Sequence, residues 1–179
     1  RELFENLRNA DARADLQAAV AADPEFALAW LGLAQASTSA QEFFDSVERA
    51  VNLVDNVSPG ERLWIEGFDA GVKGLPETQR QRYIELAALH EADPRAHNLL
   101  GTHHFGQQNW ATAAAAFERA TQLDPAFSLP YNMLGYSLRF AGDFTGAEAA
   151  FRTYIELIPD DPNPYDSYAE LLMKMGRFE

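Results

Sequence analysis

The segments AFERATQLDPAF, from Ala116 to Phe127, and AFRTYIELIPDD, from Ala150 to Asp161, carry one pattern 34 residues apart. Extended both ways, His97, Leu100, Gly101, His104, Ala113, Phe117 and Pro125 fall on Tyr131, Leu134, Gly135, Leu138, Ala147, Phe151 and Pro159, always at that offset. The first four anchors of each unit lie at i, i+3, i+4 and i+7, one face of a helix, and the Ala/Phe pair at i, i+4 marks a second helix. Gln108-Asn109 and Gly142-Asp143 break the chain between the two helices, and the proline closes the unit. Each unit therefore predicts a helix–turn–helix hairpin. A single hairpin cannot bury its own apolar faces, so hairpins of this kind must stack on one another.

The pattern resembles the tetratricopeptide repeat, with its period of about 34 and its W-x2-L-G-x2-Y, A-x3-F, P signature. The small residue of the first helix (Ala34, Gly101, Gly135, Ala169) admits the second helix, and Phe117 and Phe151 are expected to fill the space between hairpins. His97, His104 and Leu138 depart from the family's aromatic preferences. The resemblance implies an all-α, right-handed superhelical solenoid of stacked hairpins.

The register continues outward. Trp30, Leu33 and Ala34 follow Pro24 as Tyr131, Leu134 and Gly135 follow Pro125, and Tyr165, Tyr168, Ala169 and Leu172 begin a further unit. Residues 1–24 read as a partial repeat, the tail of a first helix plus a second helix. Residues 25–57 read as a repeat, 58–94 as an irregular one, 95–125 and 126–159 as repeats, and 160–179 as the first helix of another. The irregular segment predicts two helices. One starts at Ser58-Pro59 and carries Leu63, Ile65, Phe68 and Val72; the other starts at Pro76-Glu77 and carries Tyr83, Leu86 and Leu89. Seven residues separate Pro94 from Gly101 against ten from Pro125 to Gly135, which suggests a shorter inter-repeat loop. Repeats cut at both ends suggest a fragment or a trimmed chain, with homo-oligomerisation through those ends as one outcome.

Composition limits the chemistry. The 27 acidic and 14 basic residues leave a formal charge of −13, which repels phosphate backbones and anionic membranes, so nucleic acid is not an expected partner. No cysteine is present, which excludes disulfides and thiolate chemistry, and no apolar run reaches the roughly 20 residues of a membrane span. The chain reads as soluble, cytoplasmic or exported with its signal removed.

The family resemblance places the first helices along a concave groove that holds a peptide or protein partner. On the helix after Pro125, Asn132, Tyr136, Arg139 and Phe140 form a face beside the packing anchors. Its counterparts are Leu31, Gln35 and Thr38 near the start, Asn98, Thr102, Phe105 and Gly106 in the preceding unit, and Asp166, Glu170, Met173 and Lys174 in the last helix. Asn can hold a backbone amide, and Tyr and Arg dominate interface energetics. The candidate groove residues are thus Asn98, Thr102, Phe105, Asn132, Tyr136, Arg139, Phe140, Asp166 and Glu170. The carboxylate clamp that some members use on chaperone tails lacks its lysines here, and the acidic end of the groove suits a basic or amide-rich ligand.

No catalytic constellation, metal site or cofactor is expected. His90, His97, His103 and His104 cluster in sequence, and His97 and His104 share a helix face, but those two occupy packing positions of the repeat. The run HEADP breaks the zinc-protease H-E-x-x-H pattern, because Pro94 stands where the second ligand belongs. The chain thus reads as a non-enzymatic interaction module, with a self-associating scaffold or a regulatory domain of a larger protein as alternatives.

Overall fold

The computed structural model describes residues 2–177, with side chains from Ala12 onward. Among the described residues it contains ten α-helices: α1 (Glu2–Ala22), α2 (Ala27–Gln35), α3 (Ala40–Asn52), α4 (Pro59–Val72), α5 (Pro76–Leu89), α6 (Pro94–Gly106), α7 (Trp110–Leu123), α8 (Ser128–Ala141), α9 (Phe144–Leu157) and α10 (Pro162–Lys174). A 3-10 turn covers Val54–Asn56. Contact density divides the chain into two compact units, residues 1–86 and 87–179.

The helix starts follow from local chemistry. Ser58 accepts a hydrogen bond from the Glu61 amide while the Glu61 carboxylate accepts from the Ser58 amide, closing a capping box ahead of Pro59. Ser39, Asp93, Asp143 and Asp161 cap α3, α6, α9 and α10 in the same spirit. At the other end of α8, Gly142 takes a left-handed conformation (φ 88°) that turns the chain into α9.

Within the α6–α7 and α8–α9 hairpins, a glycine of the first helix receives the ring of an aromatic residue sixteen positions on. A Cβ added at Gly101 would lie 2.7 Å from the Phe117 ring, and one at Gly135 would lie 2.6 Å from that of Phe151. Both phenylalanines are fully buried. Each therefore seats inside its own hairpin, against the glycine. Phe151 also joins Ala147 and Leu171 in a cluster that reaches α10. In residues 87–179 the helices meet their neighbours and next neighbours in the chain, the one-dimensional stacking of a repeat protein.

In residues 1–86 the same device appears where the sequence looked irregular. Gly67 of α4 lies against the ring of buried Tyr83 of α5, and both stand one 34-residue period before Gly101 and Phe117. The connections after α5, α7 and α9 each span four residues, so the loop before α6 is not shorter than its counterparts. Pro94 is the first residue of α6, aligned with Ser128 and Pro162, and Glu91 stands at the position of Pro125 and Pro159. Tyr83 and Leu86 are buried as expected, whereas Leu89 is about half exposed.

Two further corrections concern the N-terminal part. Residues 2–22 form one unbroken helix rather than the end of a first helix and a second one, because no glycine or proline interrupts them. The side chains of the first 11 residues lie outside the described part. In the α2–α3 hairpin, Ala34 and Ala50 occupy the places of the glycine and the aromatic, so larger neighbours fill the gap: Leu31 and Ile65 are buried with Trp30, Trp64 and Phe68 around them. Leu31, read as a groove residue, is thus core at 2% exposure.

One hydrogen bond recurs at the loops. Trp30 Nε1 donates to the Pro24 carbonyl at 2.9 Å, and the Tyr165 hydroxyl donates to the Pro159 carbonyl at 3.0 Å. His97 Nε2, 2.9 Å from the Glu91 carbonyl, makes the same bond as an N–H donor. The residue that opens the signature therefore ties its helix to the loop six residues upstream.

Candidate functional site

The groove candidates all fall in residues 87–179, on α6, α8 and α10. Asn98, Asn132 and Asp166 occupy one repeat position, three residues before Gly101, Gly135 and Ala169. Both asparagines are partly buried, and their Oδ1 atoms are shut off from water without a hydrogen-bond partner. An unpaired buried carbonyl costs about 1–3 kcal/mol. Thr102, one turn along from Asn98, is exposed and turns its hydroxyl onto the Asn98 backbone carbonyl at 2.9 Å.

Tyr136 and Arg139 meet α10. The Tyr136 hydroxyl donates to Ser167 Oγ at 3.1 Å and to Glu170 Oε2 at 3.3 Å, while its ring stands edge-on to Phe151 at 5.2 Å. Arg139 Nη1 lies 3.1 Å from the same Glu170 oxygen, and the guanidinium stacks 5.0 Å from the Tyr136 ring centre and 4.7 Å from that of Phe140. Only 12% of the Arg139 side chain is exposed, against 48% for Glu170. Asp166 is partly buried. Hairpin packing thus uses part of this face: Tyr136 and Arg139 join α8 to α10, and the positive charge of Arg139 is paired with Glu170.

Phe105 and Phe140 gather around a residue the sequence reading did not single out. Trp110, at the start of α7, stacks on Phe140 at 4.7 Å and meets Phe105 edge-on at 5.0 Å, with Phe105 and Phe140 themselves 6.0 Å apart. Even so, Phe140 remains 47% exposed. The aromatic Phe144, one period after Trp110 at the start of α9, is the signal that could have found it. Ser167, 1% exposed, was missed because a small polar residue inside an amphipathic helix gives no pattern.

Three of the four histidines have partners within the protein. Among the described residues no three His, Asp or Glu side chains converge. His97 is committed to its loop carbonyl, and the rings of His103 and His104 meet edge-on at 5.3 Å. A cleft of about 870 Å³ lies between the loops before α6 and α8, lined by none of the candidate groove residues. An Asp93–Arg95 ion pair at 2.7 Å lies in its lining, and the guanidinium holds the Asp93 carboxyl below its usual range.

This geometry, small-residue seats paired with aromatics at a fixed period, coincides with a family match: the model of the tetratricopeptide repeat aligns with residues 1–49, 80–128 and 99–162. The chain belongs to the tetratricopeptide-repeat family. The solved structure of MamA is similar to this tetratricopeptide-repeat chain with a TM-score of 0.66 at 21% identity, over 76% of this chain and 83% of MamA. PilW, a type IV pilus biogenesis factor, gives 0.68 at 19% identity over 98% of this chain and 83% of its own. The second tetratricopeptide domain of human RPAP3, solved with an HSP70 peptide, gives 0.60 at 18% identity over 63% and 94% of the two chains. At such identities the likeness is one of fold. No curated protein matches the sequence. Among the described residues no helix of this tetratricopeptide-repeat chain is long and apolar enough to cross a membrane.

Proposed function

We propose that this chain is a non-enzymatic interaction module that holds an extended segment of a partner protein against the α6–α8–α10 face. Two asparagines one period apart, each with an unpaired carbonyl oxygen beside the same helix face, carry the reading. A turn about χ2 brings each acceptor to a peptide N–H, which would relieve the cost of leaving it unmet. Thr102 and the exposed edge of Phe140 extend the contact surface, and Tyr136 and Arg139 hold its shape. Glu170 and Asp166 give the α10 end an acidic character that favours a basic or amide-rich segment over an acidic tail. Fold-level likeness to a repeat domain solved with a chaperone peptide agrees with the class of ligand and is silent on its identity.

The test separates the asparagines from the scaffold. Peptides are selected from a random display library on the intact chain, and their affinity is measured by calorimetry against Asn98→Ala/Asn132→Ala. Loss of two hydrogen bonds should weaken binding about thirtyfold. Removing two unmet carbonyls should leave thermal stability unchanged or raised. A destabilised variant, or one that binds as well as the parent, would refute the assignment.

A further inference from the structure

The clamp onto the upstream loop carbonyl, made by Trp30, His97 and Tyr165, has no fourth instance at the equivalent Tyr131: its hydroxyl has no hydrogen-bond partner among the described residues. Tyr131 instead lines a cleft of about 480 Å³ bounded by α7, α8 and α9, on the second-helix side of the hairpins. Leu134 and Leu138 of α8 give it an apolar lining beside Ala150, and Glu118 of α7 and Asp143, the N-cap of α9, also line it. No Lys, Arg or His is among the lining residues. The Glu118 carboxylate is exposed and forms no ion pair among the described residues, while Asp143 accepts from the Gly146 amide at 2.9 Å and remains exposed.

Apolar walls with two carboxylates, a free phenol hydroxyl and no cation complement one kind of group: a long aliphatic stem ending in a positive charge. We propose that this cleft is a second docking site, separate from the α6–α8–α10 face, that takes the side chain of a lysine or arginine from a basic segment of a partner protein. The stem lies over Leu134 and Leu138, and the head group meets Glu118, Asp143 and the Tyr131 hydroxyl. The cleft is open along one side, so the partner's backbone stays outside and only the side chain enters.

The probe is an acetylated alanyl-lysyl-alanine amide, titrated into the isotopically labelled chain at physiological salt and followed by amide chemical shifts; a second peptide has norleucine in place of lysine. Shifts should concentrate at Thr121, Gln122, Gly146 and Thr153. The norleucine peptide and the Glu118→Gln/Asp143→Asn variant should each weaken binding about tenfold, the sum of two part-exposed charge contacts. Asn retains the α9 cap, and Tyr131→Phe, which loses no internal bond, should weaken it about threefold with an unchanged melting midpoint. Asn98→Ala/Asn132→Ala should bind the probe as the parent does, so failure of the groove reading and failure of this one are distinguishable. Shifts scattered over the acidic surface, equal binding of norleucine, or an unaffected Glu118→Gln/Asp143→Asn variant would each overturn the proposal.

Discussion

Replacing Gly135 by Ala should destabilise the chain, against the ordinary rule for a helical glycine. Alanine favours an exposed helix interior by about 1 kcal/mol over glycine. At this position the new methyl would lie 2.6, 2.7 and 2.8 Å from Cε1, Cζ and Cδ1 of Phe151, a ring with no exposure. Carbon atoms pack at about 3.5–4.0 Å, so the ring must retreat by about 1 Å. Leu171 and the Tyr136 ring leave it little room. Overpacking of this kind costs about 1–3 kcal/mol, which leaves a net loss of about 1 kcal/mol once the helical gain is subtracted. Gly106 is the internal control: it lies in α6, and a Cβ there meets nothing within 4 Å, so Gly106→Ala should gain about 0.5 kcal/mol. Urea titration of the full chain, followed by far-ultraviolet circular dichroism, reads both. The thermal midpoints should move in opposite directions, by about 2–4 °C per kcal/mol for a chain of this size. Phe151→Leu should partly rescue Gly135→Ala, a non-additivity expected only of groups in contact. A Gly135→Ala protein as stable as the parent, or more so, would refute the argument that glycine is there for space.

Two other outcomes follow from the helix pairs of residues 1–86. Burial pushes the Tyr83 hydroxyl up to about 12 from its ordinary value of 10.0. The unfolded chain therefore ionises first: stability is intact below about pH 10 and falls towards pH 12, by at most about 2–3 kcal/mol. Urea midpoints across that range should decline less for Tyr83→Phe than for the parent, and equal slopes would count against the buried hydroxyl. Ser58→Ala opens the capping box of α4 and should cost about 1 kcal/mol, readable in the same titration; a neutral result would show that Pro59 alone starts the helix.

The hairpins from α6 to α9 were legible because Gly101, Phe117, Gly135 and Phe151 stand in the sequence as they stand in space. The α4–α5 hairpin was not, because three consensus positions are disguised: Glu66 for the leucine, Gln79 for the alanine and Glu91 for the proline. Each disguise has a local reason or a local tolerance. Glu66 pairs with Arg82 at 2.9 Å, an ion pair set off the N–H axis, and Gln79 fits because Gly71 beside it has no side chain. The loop carbonyl at Glu91 is still bound, by His97. At the candidate site, the shared repeat position of Asn98 and Asn132 was legible from the 34-residue spacing. The commitment of Tyr136 and Arg139 to α10 was not, since helical period says which side a residue faces and nothing about what the next hairpin brings there. Trp110 escaped for a related reason: it comes from a second helix, whereas the groove was built from first helices only.

The link from Trp30, His97 and Tyr165 to a backbone oxygen reorders which replacements count as mild. Indole, imidazole and phenol differ in size, charge and hydropathy, yet each offers one proton at about the same reach. Phenylalanine, nearest to tyrosine on any scale of greasiness, offers none. At this site a substitution table drawn from oil-water partitioning would rank the candidates in the wrong order, and distant relatives should be sought by the hydrogen they can lend rather than by the ring that carries it.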